Sequence, residues 1–433
     1  MTATAAAAFP HAGPDRHPRG LYVLFATEMW ERFSFYTMLA LFTLYLQDHA
    51  EGFGWSAAAA TTLRANYLLF VFFSPLIGGW LADRKLGYRR AVMIGGFFFV
   101  AGHVLLAFRS LPVVYAALTC LVIGNGLFKP NVSTIVGNLY PPGSHLKDRA
   151  YNIFYMGINL GATLGPIIVE FVRRWYGFHP AFAVAAGGMV ISVLTLVVFR
   201  KDIEPGDRPR AAEAAAVPRA PTPIDAVPES RRIFALIVIY LISIVFWMIF
   251  FQNGSTLTYW ANDNTNWSFS GVISNAIEPF FVITLTPPLV LLWKSLDRRG
   301  KEPQTTTKIT IGMFLMAAAF YVMYFAGKAG GDTGRVSPWW LIGAYAIVGL
   351  AEITLSPMAL SLVSKVAPAR YRSLMMGGWF VATGLGGKLT QIGVYWTEWK
   401  HSTFFAVLGT MALATALVLV ALLKPLRKAM PGV

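Results

Sequence analysis

The sequence predicts an all-α membrane protein with twelve transmembrane helices in two six-helix halves. Of its 433 residues, 56% are hydrophobic and only 13% are charged, which is typical of membrane proteins. Apolar stretches of about 18 residues or more recur along the chain, and each is long enough to cross a hydrocarbon core of roughly 30 Å as a helix. The twelve stretches begin near Leu21, Ala57, Ala91, Pro112, Arg149, Pro180, Arg232, Ser270, Lys308, Trp339, Ser373 and Thr403.

Lys and Arg residues predict the orientation of these spans, because they cluster in alternate loops. Basic loops are expected to be cytoplasmic, which places both termini in the cytoplasm of a multi-pass protein of the cell inner membrane or plasma membrane. The net charge of +15 follows from this topology. Nucleic-acid binding is not expected, since it would need the charges on one soluble face. The clusters are Arg84, Lys85, Arg89 and Arg90; Lys147 and Arg149; Lys294, Arg298, Arg299 and Lys301; and Arg370 and Arg372.

A long polar segment rich in Ala, Pro and charged residues divides the chain. It predicts a cytoplasmic linker at residues 200–231 between an N-terminal half, 1–199, and a C-terminal half, 232–433. Each half has a similar signal after its second span, DRKLG in the first half and DRRGK in the second. Transporters built from two such halves bind their solute near the membrane midplane and alternate access by rocking one half against the other.

The loop after the second span reads GWLADRKLGYRR and resembles the loop motif of the major facilitator superfamily. An Asp at a helix end facing basic residues across a short turn can latch neighbouring helices in one conformation and release them in the other. The expected latch residues are Asp83, Arg84 and Lys85. The alternative is a basic cytoplasmic loop without a latch.

The first span carries ionisable residues at membrane depth. Glu28, Glu31 and Arg32 lie on one helical face, and Tyr36 follows on the same face. Such groups are costly in a membrane and usually mark an ion path or a solute site, although a self-neutralised structural cluster is the alternative. The pattern resembles the acidic-acidic-arginine signature of the proton-coupled oligopeptide transporters.

Further segments resemble the same family, in the expected order and across nearly the whole chain. Residues 78–95 and 151–161 are similar to its two signature sequences, which implies that Asn159 reaches a peptide backbone. The other matching segments are GLFKPN at residues 126–131, Phe246-Trp247, QNGS at residues 252–255, Glu352, Ser356-Pro357, Lys365, Pro368, and Met375-Met376-Gly377 with Trp379.

The resemblance implies a proton-driven symporter that imports di- and tripeptides or peptide-like solutes by alternating access. It implies proton coupling through Glu28, Glu31 and Arg32, and a chain that works as a monomer in membrane lipid without a cofactor or metal ion. A related transporter of a non-peptide, amine-bearing or organic solute is the alternative. The expected substrate-binding residues are Tyr36, Lys129, Asn159, Gln252, Glu278, Glu352, Ser356 and Trp379.

Chemistry supports roles for Lys129 and Glu352. A Lys within an apolar helix loses its proton or finds a counter-ion, and Glu352 of the opposite half is the expected partner. Charges of opposite sign on the two halves would orient a zwitterionic peptide, although the pair could also merely join the halves. Protonating a Glu of the first span would free Arg32 for the peptide carboxylate, which would couple solute to proton.

Four positions depart from the family pattern. Leu39 stands where the family often has Arg, and Phe251 stands where bacterial members often have Glu, so a salt bridge between these helices is expected to be lost. Phe35 replaces one of a tyrosine pair. Glu278 stands where the family usually has Asn, which favours solutes with an extra amine; alternatively, Glu278 caps a helix break near Pro279.

The sequence lacks the motifs that would indicate an enzyme or a channel. The chain contains no His-Glu-x-x-His, no Gly-x-Ser-x-Gly and no phosphate-binding glycine loop, so an enzyme is not expected. A channel would need repeated rings of polar groups, whereas the charged residues here are unique and asymmetric.

Overall fold

The chain folds almost entirely into helices in the computed structural model, which describes residues 16–140, 146–207 and 223–431. Those residues contain no named β-strand, and the all-α class is confirmed. The long helices are α1 (Arg19–Gln47), α2 (Ala57–Leu81), α3 (Tyr88–Leu105), α4 (Leu111–Asn138), α5 (Leu146–Tyr176), α6 (Phe178–Val198), α7 (Glu229–Phe250), α8 (Ile277–Asp297), α9 (Thr305–Ala329), α10 (Pro338–Val366), α11 (Arg372–Leu389) and α12 (His401–Ala429).

Nine helical segments of the described residues are long and apolar enough to cross a membrane. Helices α1, α3 and α11 are not among these nine segments. Helix α1 carries Glu28, Glu31 and Arg32 near its middle, and these residues lower its hydropathy. The chain is therefore a multi-pass membrane protein, while the count of twelve spans stays a prediction.

Most helices begin within a few residues of the predicted positions, because the hydropathy pattern marks where each apolar stretch starts. The largest difference is at α8, which begins at Ile277, whereas the sequence predicts a start near Ser270. A 3-10 segment, Gly271–Ala276, precedes α8, and the Ser270 hydroxyl accepts a hydrogen bond from the Val272 amide at 3.2 Å. This segment places Glu278 in the first turn of the regular helix.

The chain forms two compact units. The N-terminal unit comprises Met1–Tyr45, Ala50–Gly52 and Phe70–Arg219. The C-terminal unit comprises Leu46–His49, Phe53–Leu69 and Ala220–Val433, so helix α2 contributes residues to both units. Residues 208–222 of the predicted linker lie outside the described residues, and the predicted division at 200–231 stays a prediction.

Within the N-terminal unit, α3 packs on α4 and α6, and α5 packs on α6. Helix α5 also meets α1 closely at Gly161. A Cβ atom on Gly161 would lie 2.2 Å from the Met29 carbonyl oxygen and 3.1 Å from the Arg32 Cβ. Only a residue without a side chain allows this approach of the two backbones, as is common where membrane helices pack. The contact lies at the level of the charged residues of α1.

Within the C-terminal unit, α9 packs on α10 and α12, α7 packs on α11, and α8 packs on α10. Helices α8 and α10 approach at Gly349. A Cβ atom on Gly349 would lie 3.3 Å from the Phe281 Cβ and 3.4 Å from the Glu278 carbonyl oxygen. Glu352 follows Gly349 on α10 by about one helical turn.

We expect Gly161→Ala to lower the free energy of unfolding by about 1–3 kcal/mol, because the added methyl group overlaps the backbone of α1. Thermal unfolding of the purified protein in detergent measures the effect. Gly187→Ala is the matched control, since a Cβ atom at Gly187 in α6 meets nothing within 4 Å. Equal melting temperatures for the two variants would contradict the tight α1–α5 contact.

Candidate functional site

The three ionisable residues of α1 form one buried cluster. The Arg32 guanidinium donates two hydrogen bonds to Glu31, from Nε to Oε2 and from Nη2 to Oε1, the latter at 2.6 Å. Oε1 of Glu28 lies 3.5 Å from Nε of Arg32. The side chains are at most 2% exposed. The structure therefore brings these predicted coupling residues together, and their role in proton coupling stays a prediction.

The two carboxylates of this cluster are held differently. Both oxygens of Glu31 accept a hydrogen bond from Arg32. Oε2 of Glu28 is buried and has no hydrogen-bond partner among the described residues. Glu28 is therefore the carboxylate with the weaker hold on the guanidinium, and the one with an oxygen available for a proton.

Lys129 of α4 adds a second cation to the α1 cluster. Its ammonium interacts electrostatically with Arg32, Glu28 and Glu31, and its Nζ lies 5.5 Å from the centre of the Phe72 ring. The sequence predicts Glu352 as the partner of Lys129 and does not predict a contact between Lys129 and α1. Lys129 belongs to the N-terminal unit and Glu352 to the C-terminal unit, so that pairing stays a prediction.

Two further predicted substrate residues lie in the N-terminal unit. Tyr36 is half-buried, stands one turn beyond Arg32 on α1, and interacts electrostatically with it. Asn159 of α5 is 7% exposed, and its side-chain amide donates to the Tyr155 carbonyl at 3.1 Å. Tyr36 thus extends the polar face of α1, while the binding roles of both residues stay predictions.

Gln252 lies just after α7 and is completely buried. Its Nε2 donates to the carbonyl oxygens of Met248 at 3.3 Å and Thr390 at 3.4 Å, and its Oε1 accepts from the Thr256 hydroxyl at 2.8 Å. Both ends of the carboxamide are thus used within the C-terminal unit. This geometry favours a role in holding the segment after α7 over direct binding of a solute, which stays a prediction.

Trp379 and Ser356 are two further residues that the sequence predicts to bind substrate. Trp379 of α11 is 5% exposed, and its ring packs edge to face with that of Trp247, 6.4 Å between centres. Ser356 of α10 is half-buried, one turn beyond Glu352. Their contacts with a solute stay predictions.

Glu278 and Glu352 meet in the C-terminal unit. The Glu278 side chain is buried, with 4% of the residue exposed, and Glu352 is half-buried on α10. Their carboxyl groups interact electrostatically. The sequence predicts both residues as substrate-binding but does not predict that they touch. Helix α8 continues through Pro279, because proline is tolerated in a first helical turn, so the structure offers no break for Glu278 to cap.

Arg64 is a buried cation of α2 that is not among the predicted site residues. It is 2% exposed, its Nη1 donates to the Phe251 carbonyl at 2.9 Å, and it packs against Gly254, where a Cβ atom would lie 2.3 Å from Nη2. Among the described residues no carboxylate pairs with it, and its Nε has no hydrogen-bond partner. A single Arg inside an apolar span was the available signal.

The structure shows what surrounds three of the residues that depart from the family pattern. The Phe35 ring lies under the Arg32 guanidinium, 4.7 Å from its carbon to the ring centre, so a cation–π contact remains without a tyrosine hydroxyl. Leu39 is buried. The Phe251 ring stacks on Trp247 at 5.2 Å between centres, and the backbone of Phe251, not its side chain, accepts the hydrogen bond from Arg64.

The predicted latch residues occupy a π-helical turn, Ala82–Leu86, in the N-terminal unit. Asp83 accepts a hydrogen bond from the Tyr88 hydroxyl at 2.7 Å, and the Arg84 guanidinium lies 5.4 Å from the Trp80 ring centre. Lys85 is exposed. Within the described part of the chain, Asp83 forms no ion pair with Arg84 or Lys85, and the latch role stays a prediction.

A second acidic residue anchors this loop and was not predicted. Oδ1 of Asp207 accepts the backbone N–H groups of Tyr88 and Arg89, both at 3.1 Å, and so caps the start of α3. Oδ2 of Asp207 lies 3.8 Å from Nε of Arg89. Asp207 lies far along the chain from α3, so sequence spacing gave no signal for this contact.

The Major Facilitator Superfamily profile matches residues 29–391 of the chain. A di-/tripeptide transporter of Lactococcus lactis subsp. cremoris is 31% identical, with 96% of this chain and 97% of that protein covered. This chain belongs to the proton-coupled oligopeptide transporter family of that superfamily. The resemblance seen in the sequence is thereby confirmed at the level of the family.

Solved structures of this family share the fold. A mutant of peptide transporter POT in complex with alafosfalin has a TM-score of 0.88 and 32% identity, with 99% of each chain covered. A POT family transporter in complex with 5-aminolevulinic acid has a TM-score of 0.87 and 25% identity, with 97% of this chain and 99% of that chain covered.

We expect Arg64→Met to leave the melting temperature unchanged or raise it while reducing uptake at least tenfold. Replacing a buried charge that lacks an ionic partner by an apolar side chain removes a desolvation cost, and intramembrane charges are retained mainly for function. Thermal unfolding and uptake by the same preparation measure both effects. Arg231→Met, at the exposed start of α7, is the control and should change neither. A large loss of stability without loss of uptake would mean that Arg64 is structural.

Proposed function

We propose that this chain is a proton-driven symporter that imports di- and tripeptides or peptide-like solutes by alternating access. The buried cluster of Glu28, Glu31 and Arg32, with Lys129 in its electrostatic field, carries the proposal. Four ionisable groups at membrane depth are costly unless they move ions or bind solutes. The di-/tripeptide transporter relative supports the same solute class.

Charge counting in this cluster links the proton to the solute. With both carboxylates ionised, the two negative charges of Glu28 and Glu31 balance the two positive charges of Arg32 and Lys129. One proton on Glu28 leaves the cluster with a net charge of +1. Neutrality is then restored by an anion, and the carboxylate of a peptide supplies it. Proton and solute therefore favour each other at this cluster.

The available energy is sufficient for this coupling. A shift of one pKa unit corresponds to about 1.4 kcal/mol, and moving one charge inward across 100 mV supplies about 2.3 kcal/mol. A two-state transporter whose conformations differ by a few kcal/mol responds to energies of this size. One proton per cycle is therefore enough to bias the direction of transport.

The cations of the N-terminal unit favour solutes that carry a carboxylate. Arg32 and Lys129 lie in that unit and supply the positive charge that a peptide carboxylate needs. The di-/tripeptide transporter relative supports peptides as the preferred solutes. An amine-bearing organic solute is the second candidate, because Glu278 gives the C-terminal unit a carboxyl group where the family usually has Asn. The relative bound to 5-aminolevulinic acid supports that candidate.

Localisation follows the charge pattern. The bacterial relatives and the helices of the chain support a multi-pass protein of the plasma or inner membrane. The basic loops favour cytoplasmic termini. Because the proposed coupling needs no second chain, a monomer suffices.

Uptake by proteoliposomes under an imposed pH gradient tests the function. Di- and tripeptides should accumulate when the inside is alkaline, with saturable kinetics, and free amino acids should accumulate much less. A gradient-dependent signal for 5-aminolevulinic acid without any for peptides would favour the organic-solute candidate. No gradient-driven accumulation of any of these solutes would contradict proton-driven import.

We expect Glu28→Gln and Glu31→Gln each to abolish accumulation under a pH gradient, because the cluster loses a charge that the proton must neutralise. Solute exchange without a gradient should persist at a reduced rate. Glu170→Gln is the matched control, since Glu170 of α5 is equally buried but pairs with Arg173 at 3.4 Å, near the helix end. If Glu28→Gln and Glu31→Gln accumulate peptides as well as the control does, the cluster does not couple the proton.

A further inference from the structure

A cavity of about 640 Å³ lies in the N-terminal unit, between the start of α3, the end of α6 and the segment that follows α6. Its volume is in the range of about 300–1,000 Å³ that is typical of ligand sites. Its lining includes none of the predicted coupling, substrate-binding or latch residues. We propose that this cavity binds an anionic glycerophospholipid, with the phosphodiester among its basic side chains and the acyl chains along α3 and α6.

The rim of the cavity has an excess of positive charge. One carboxylate, that of Glu204, faces four basic side chains, which are those of Arg89, Arg90, Arg200 and Lys201. Arg89 is balanced within the protein, since its Nη1 lies 3.5 Å from Oε1 of Glu204 and its Nε lies 3.8 Å from Oδ2 of Asp207. The other three basic side chains form no ion pair with any residue that the structure describes. An anion from outside the protein therefore finds three cations without a counter-ion.

The floor and one side of the cavity are apolar. Ile135, Leu196 and Ile203 are buried beneath it, and Ile94 and Val197 line it with exposed side chains. Apolar walls do not stabilise a small hydrated anion, whereas acyl chains gain free energy by leaving water for such walls. The combination of cationic rim and apolar floor favours an anion that carries hydrocarbon.

The apolar side of the cavity continues into a lipid-facing surface. Phe97 of α3 and Leu194 and Val198 of α6 are each more than half exposed. The two helices pack together at Gly96, where a Cβ atom would lie 2.8 Å from Cγ2 of Val193. This contact lies one to two turns from the cavity, toward the middle of both helices. The cavity thus lies where the apolar surface of α3 and α6 meets the basic residues at the helix ends, which is the depth of a lipid headgroup.

Charge complementarity selects a lipid as the occupant. The linker residues 208–222, which follow the cavity in the chain, contain three Arg and one Glu, so they add positive charge and do not supply the counter-ion. Phosphate oxygens accept charge-assisted hydrogen bonds from Arg and Lys. Basic pockets at the cytoplasmic ends of membrane helices recognise anionic headgroups, and the loop before α3 is predicted to be cytoplasmic. A phosphocholine headgroup carries an ammonium that these cations repel, so phosphatidylglycerol is favoured over phosphatidylcholine.

Native mass spectrometry of the full chain, with equal amounts of phosphatidylglycerol and phosphatidylcholine in the detergent, tests the site. The wild type should retain one phosphatidylglycerol. Arg200→Gln/Lys201→Gln should bind this lipid at least about tenfold more weakly, because two cations of the rim are lost. If that variant has a lower melting temperature, Arg90→Gln/Lys201→Gln takes its place. Equal retention of both lipids by the wild type would overturn the proposal.

A matched control separates this site from general attraction between a basic surface and anionic lipid. Arg298→Gln/Arg299→Gln removes the same charge from two exposed residues after α8, on the side of the membrane predicted to be the same. This variant should retain phosphatidylglycerol as the wild type does. An equal loss of the lipid in the two double variants would mean that the cavity does not bind it specifically.

Competition distinguishes a lipid from a small phosphate anion. Inorganic phosphate and glycerol 3-phosphate share the anionic group but lack acyl chains, so neither should displace phosphatidylglycerol at millimolar concentration. Displacement by either compound, together with its retention by the wild type and its loss in Arg200→Gln/Lys201→Gln, would identify a site for small anions and overturn the lipid as its occupant.

Discussion

The salt-bridged cluster on α1 is the interaction on which the rest of the site depends. Arg32 is fully buried and held by Glu31 and Glu28, and removing one partner of a buried ion pair costs about 3–5 kcal/mol. In the proposed mechanism, a proton on Glu28 leaves the cluster with an excess positive charge, and the carboxylate of a solute balances it. Gly161 lets the backbone of α5 pack closely on α1 beside Met29 and Arg32.

The sequence was informative wherever a single helix decides the outcome. Hydropathy placed most helix starts, and the spacing of Glu28, Glu31 and Arg32 along one helix predicted their contact. Contacts between different helices were harder to predict from the sequence. Helices α8 and α10, which carry Glu278 and Glu352, approach closely at Gly349, and neither periodicity nor motif resemblance specifies which helices approach there. The roles of these residues are likewise beyond what spacing can decide.

Charge in the C-terminal unit is redistributed relative to the family pattern. Phe251 lacks the acidic side chain that bacterial members often have, yet its carbonyl oxygen holds Arg64, a buried guanidinium that the family motifs do not mark. Glu278 adds a carboxyl group to the same unit. A guanidinium satisfied by a carbonyl keeps its full charge, because a carbonyl dipole does not neutralise it.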